Sequence, residues 1–183
     1  MLTKTDIEKY FIAEKQESLF FIIIGLAAIC IAMIGLFIYK TQAFKGAAIP
    51  LIAIGLLQIV VGLSVYKRSD DDRMRVVYAY DMNRNDIKNT ELPRMKVVNK
   101  NLVIYRWIEI ILAISGFISI FYNRFFGSQI AIETVHYSFS YGLGLALALL
   151  AVIMLGADYF AEKRATIYTN QLQNFVEKKQ NAP

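Results

Sequence analysis

The sequence predicts an all-α integral membrane protein, with four transmembrane helices arranged as two antiparallel hairpins and amphipathic helices on the cytoplasmic side. Three observations carry this. The 183 residues are 56% hydrophobic, against roughly 45–50% in soluble domains. The apolar residues fall in four blocks of about twenty, each long enough at ~1.5 Å per residue to cross a ~30 Å hydrocarbon core. Sixteen of the 20 Lys and Arg lie in three segments that would share one side of the membrane.

Residues 1–18 mix charge with Ile7, Tyr10 and Phe11 at helical spacing. Thr5 and Glu8 fit a capping box, and the segment reads as an amphipathic helix on the membrane surface that can run straight into the first span. The first span, 19–39, is 21 residues without a charge. It starts too late and is too long for a cleaved leader, so it is expected to be retained. The connector 40–46 is short enough to make a hairpin with the second span, 47–66. Pro50 falls in that span's first turn, where a missing N–H costs nothing.

Residues 67–101 form a polar loop with nine Lys and Arg and the run Asp70-Asp71-Asp72. Val76, Val77, Tyr78 and Tyr80 make it too apolar for a disordered linker, so packed helix is expected within it. The second hairpin, 102–160, contains spans 102–122 and 137–157. Residues 161–183 form an amphipathic tail with a stripe of Ile167, Tyr168, Leu172, Phe175 and Val176. By the positive-inside rule both termini and the long loop are cytoplasmic. The aromatic belts agree: Tyr39 and Tyr122 at the outer ends, Tyr66, Tyr105, Trp107 and Tyr159 at the inner ends. A bacterial inner membrane is the expected location.

Ionisable groups inside a span are costly and mark candidate sites. Arg106 and Glu109 stand three residues apart in the third span, on one helix face. Arg106 is near enough to the inner headgroups to snorkel. Glu109 is deeper and shorter, and needs a partner, a proton or water. Gln58, Ser115 and Arg106 are the candidate partners, and Asp158 is a candidate partner for Arg106. A structural reading makes these interhelical glue; a functional one makes them a binding or ion-relay site. Gly142, Gly144, Ala146 and Ala148, with Ala28 and Ala32, give small-residue patterns for close helix packing, within the chain or between copies.

Nothing points to catalysis or to nucleic acid. There is no phosphate-binding loop, no nucleophile–base pairing and no cofactor motif. The single cysteine, Cys30, permits no internal disulfide. Glu133 and His136 form one Glu-x-x-His at a loop edge, where a metal site would need further ligands. The expected function is therefore that of a non-enzymatic membrane protein that binds, regulates or assembles with another membrane component, or with itself. Protection against a membrane-acting toxin is one form of this. The alternative is a small oligomeric ion channel or proton-coupled carrier using Glu109.

Overall fold

The computed structural model describes residues 2–126 and 134–180. Among them every regular element is helical. Helix α1 runs Lys4–Ile34 and ends in a π turn, Gly35–Tyr39; α2 is Gln42–Met82. A single turn, α3 (Arg84–Asp86), and a second π turn, Ile87–Glu91, lead into α4, Leu92–Phe126; α5 is Thr134–Gln180. Four stretches are long and apolar enough to cross a membrane: Lys4–Tyr39, Gln42–Met82, Arg84–Phe125 and Phe139–Glu177. This fits a multi-pass membrane protein.

The helix ends differ from expectation in identifiable ways. The capping box uses Thr3 and Asp6, not Thr5 and Glu8. The Thr3 hydroxyl accepts from the Asp6 amide at 3.2 Å, and the Thr3 amide donates to the Asp6 carboxylate at 3.0 Å. The first connector shrinks to Lys40 and Thr41. Lys40 takes a left-handed conformation (φ 53°) and its amide closes the π turn on Gly35 at 2.9 Å. Thr41 then caps α2, accepting from the Phe44 amide at 3.3 Å. Because α2 begins at Gln42, Pro50 lies in the helix interior and not in a first turn; it is buried there. It cannot donate to the Gly46 carbonyl, four residues back.

The chain divides into two compact units. One gathers Met1–Leu19, Leu63–Arg106 and Ala157–Pro183; the other gathers Phe20–Gly62 and Trp107–Gly156. The first, here the polar unit, has its own core of Leu2, Ile7, Phe11, Val76, Ile87, Met95, Tyr168 and Leu172. Tyr10 stacks on Tyr168 with ring centroids 4.3 Å apart. Ile7 and Phe11 are thus core residues of a helix that runs straight into the first apolar block. The tail is likewise a continuation of α5: Tyr168 and Leu172 are buried, while Ile167 of the expected stripe is exposed.

The second, apolar unit packs small residues. Ala28, Ala32, Ala48, Leu51, Ala146 and Leu150 form its core. A Cβ added at Gly142 would lie 1.9 Å from the Ala43 carbonyl oxygen, and one at Gly116 would lie 2.7 Å from the Ala148 amide nitrogen. Such approaches are open only to glycine. The small-residue patterns of α5 and α1 are therefore used in packing within this chain.

In every long helix the inward positions recur at alternating steps of three and four. On α1 they are Ile7, Phe11, Glu14, Ser18, Phe21, Gly25, Ala28 and Ala32. On α4 they include Met95, Asn99, Leu102, Arg106, Glu109, Ala113 and Gly116, all buried or partly buried. This 3.5-residue period is that of left-handed coiled coils.

Candidate functional site

The residues singled out by sequence divide between the two units. Glu109, Gln58 and Ser115 belong to the apolar unit; Arg106 and Asp158 belong to the polar one.

Glu109 and Gln58 are each 2% exposed and occupy inward positions of α4 and α2. Neither polar atom of the Gln58 amide has a hydrogen-bond partner within the protein. Leaving a buried amide in that state costs about 1–3 kcal/mol, so its retention calls for an explanation. Gln58 sits where α1 and α2 touch backbone to backbone: a Cβ on Gly25 would lie 3.2 Å from the Gln58 Cβ. Ser115 does not join them. It is exposed, and its hydroxyl donates to the Leu112 carbonyl of its own helix at 2.8 Å.

Arg106 makes an ion pair with Glu162 of α5. One guanidinium nitrogen lies 2.9 Å from both carboxylate oxygens. Sequence reasoning considered Glu109 and Asp158 as partners and passed over Glu162, one turn beyond Asp158 on the same inward stripe of α5. That 3.5-residue spacing was the signal that could have found it.

The polar unit contains a second cluster that sequence reasoning missed. Glu91 is 1% exposed, and Arg94 holds it through two hydrogen bonds, 2.9 Å from Nε and 2.7 Å from Nη2. Arg75 adds a 3.4 Å contact to Glu91 and a 2.9 Å ion pair to Asp72, and Arg94 lies 3.8 Å from Asp72. The Tyr168 hydroxyl donates to Glu91 at 3.4 Å. Burial, reinforced by Glu91, pushes the Tyr168 phenol far up, so it stays a neutral donor.

Nearby on α1, Glu14 accepts from the Ser69 hydroxyl at 3.2 Å, and Glu17 is ion-paired with Arg164 of α5. Burial raises both carboxyls. Glu17 is pushed up to about 7, with Asp158 and Glu14 adding to the rise and Arg164 opposing it. Lys15 pairs with Asp70 and covers the Tyr66 ring at 4.7 Å.

Among the described residues no three His, Cys, Asp or Glu side chains gather as metal ligands; Glu133 and the His136 side chain lie outside what is described. Scans against known protein families, curated proteins and solved structures find no match.

Proposed function

We propose that the chain crosses a bacterial inner membrane four times as two antiparallel hairpins, with its termini and residues 67–101 in the cytoplasm. We further infer that it acts without catalysis, by binding or assembling with another membrane protein. The helix registers support the hairpins. Gly116 of α4 meets Ala148 of α5, while Ser119, further along α4, reaches back to the Ser140 carbonyl. Gly25 of α1 meets Gly55 of α2, and Gly35 meets Phe44. The outward faces of the apolar unit, with Ile23, Leu26, Leu57 and Val60 all half exposed or more, suit contact with lipid.

The observation that carries the binding reading is the surface of the polar unit. Met74, Tyr78 and Met82 recur every fourth residue along α2 and are 60%, 66% and 74% exposed. Met and Tyr are favoured at protein contacts, and an apolar stripe on a polar body marks one. The test is a photo-crosslinker at position 78 in native membranes. A crosslink to a second membrane protein, weakened by Met74→Asp with Met82→Asp, is expected. Crosslinks to lipid alone, or none, would refute the reading.

A second reading is a small oligomeric channel or proton-coupled carrier. The burial of Glu109 and Gln58 in the apolar unit favours it. It requires ion or proton flux in proteoliposomes that Glu109→Gln alters.

A further inference from the structure

Within the polar unit α4 and α5 are held in one antiparallel register. Asn99 bonds to Thr169 and Arg106 to Glu162, so each step forward on α4 matches one step back on α5. One flank of α4 is turned to α2, where Arg94 lies 3.8 Å from Asp72. One flank of α5 is turned to α1, where Arg164 pairs with Glu17 and Tyr168 stacks on Tyr10. Arg94 and Arg164 each stand one residue before an inward position, Met95 and Ala165. Lys96, Lys100 and Lys163 each stand one residue after an inward position, Met95, Asn99 and Glu162. They therefore look out from the opposite flanks, on the face that α4 and α5 share, and all three are exposed.

The charge of that face is not balanced within the unit. No Asp or Glu occurs between Leu92 and Arg106. On α5, Asp158 lies on the inward stripe and Glu162 is taken by Arg106. Among the described residues no ion pair engages Lys96, Lys100 or Lys163. The cations of α1 and α2 contrast with them: Lys4 pairs with Asp81, Lys15 and Arg73 with Asp70, and Arg68 with Asp72. Apolar side chains stand among the three free lysines. Val97 and Ile104 of α4 are 57% and 44% exposed, and Phe160 and Ile167 of α5 are 61% and 51% exposed.

We propose that the face shared by α4 and α5 in the polar unit binds the headgroup of an anionic phospholipid, with Lys100 and Lys163 on its phosphate and Lys96 beyond them. By the register Lys163 is level with Tyr105, five residues from Lys100, about 7–8 Å along the axis. Two long flexible stems close such a gap on one phosphate. The position along the helices selects a lipid. Lys100 stands two residues before the apolar block 102–122, Lys96 six before it, and Lys163 six after the block 137–157, all within about 9 Å at 1.5 Å per residue. The headgroup layer reaches ~5–8 Å beyond the hydrocarbon, and a lysine stem lying on apolar surface spans the rest. The exposed Val97, Ile104, Phe160 and Ile167 supply that surface, while uncompensated positive charge selects an anionic headgroup over a zwitterionic one.

The inference rests on the membrane-spanning reading for its setting and is independent of the α2 stripe. Trp107 is the single tryptophan, seven residues beyond Lys100 on α4 and 58% exposed, and it reports on both. The full chain is reconstituted into phosphatidylcholine vesicles containing phosphatidylglycerol, with brominated chains, which quench tryptophan on contact, on one lipid or the other. At low salt phosphatidylglycerol should show an advantage of about tenfold or more, one lysine near an anionic surface being worth roughly fivefold. The advantage should fall severalfold in about 0.5 M NaCl. Lys96→Gln, Lys100→Gln and Lys163→Gln combined should bring the ratio to about one, and the three arginine replacements should keep it. Lys4→Gln, Lys9→Gln and Lys88→Gln combined remove the same charge further from the apolar blocks and should leave the ratio within about twofold. Equal quenching by the two lipids in the wild type would overturn the proposal. So would an advantage that survives in the first glutamine variant, or an equal loss in the distant one. Trp107 quenched by neither lipid would overturn the membrane-spanning reading and this proposal with it. Should the first variant not reconstitute, the wild-type ratio and its fall with salt decide.

Discussion

Gly25 of α1 and Gly55 of α2 meet backbone to backbone. A Cβ on Gly25 would lie 2.5 Å from the Gly55 carbonyl oxygen, and one on Gly55 would lie 2.9 Å from the Gly25 carbonyl oxygen. The obstruction on each side is backbone, which cannot swing aside as a side chain would. Gly25→Ala and Gly55→Ala should each destabilise by about 1–3 kcal/mol, the usual cost of overpacking. Gly156, also in the apolar unit, has nothing within 4 Å of its Cβ position. Gly156→Ala should instead stabilise by up to ~1 kcal/mol through helix propensity. Denaturant unfolding in detergent distinguishes the two signs; a stabilising Gly25→Ala would dispose of the close crossing.

Glu91 and Arg94 form the most buried ion pair of the polar unit. Removing one partner leaves the other buried without its main counter-charge, at a cost of about 3 kcal/mol or more. Arg75 lies 3.4 Å from Glu91 and Asp72 lies 3.8 Å from Arg94, so part of that loss is recovered. Glu91→Ala and Arg94→Ala should each lower the melting temperature markedly. Glu91→Met combined with Arg94→Leu should lose much less than the sum of the two alanine variants. Additive losses would mean that the pair is not energetically coupled.

Glu17 makes stability depend on pH. Its carboxyl is pushed up to about 7 from an ordinary 4.5, chiefly by burial. The folded state then binds the proton more tightly than the unfolded chain. Its contribution is fully present below about pH 4.5 and is lost as pH rises through about 7, up to ~3 kcal/mol in all. Glu14 is shifted in the same direction and adds to the slope. Melting temperatures between pH 5 and 8 should fall for the wild type and fall less for Glu17→Gln. Identical slopes would rule out Glu17 as the titrating group.

The four apolar blocks were legible because about twenty predominantly apolar residues in a row have few other uses. The full lengths of the helices were not. Charged flanks read as loops and surface segments, yet α1 starts fifteen residues before the first uncharged block and α5 ends well beyond the last. The inward stripe carries on through polar residues: Glu14 and Ser18 on α1, Ser69 and Asp72 on α2, Asp158, Glu162 and Thr169 on α5. A search for hydrophobic residues stops at each of these; a search for the 3.5-residue period, blind to polarity, passes through. Gln58 and Glu109 were legible for the opposite reason, as polar residues inside an apolar stretch. Glu17 was not, because its burial and its ion pair with Arg164, 147 residues away, come only from tertiary packing. Polar groups at core positions of coiled coils fix register at a cost in stability, which accounts for Asn99, bonded to Thr169 at 2.7 Å, and for Arg106 with Glu162. It does not account for Gln58, whose amide bonds to nothing in the protein.

Gln58 is therefore expected to weaken the fold. An amide buried without hydrogen bonds costs about 1–3 kcal/mol, and an apolar side chain of similar volume removes that cost. Gln58→Leu should be more stable than the wild type by about 1 kcal/mol, a rise visible in a thermal melt. A variant less stable than the wild type would instead mean that Gln58 is a structural contact after all, with the amide partnered in the folded protein.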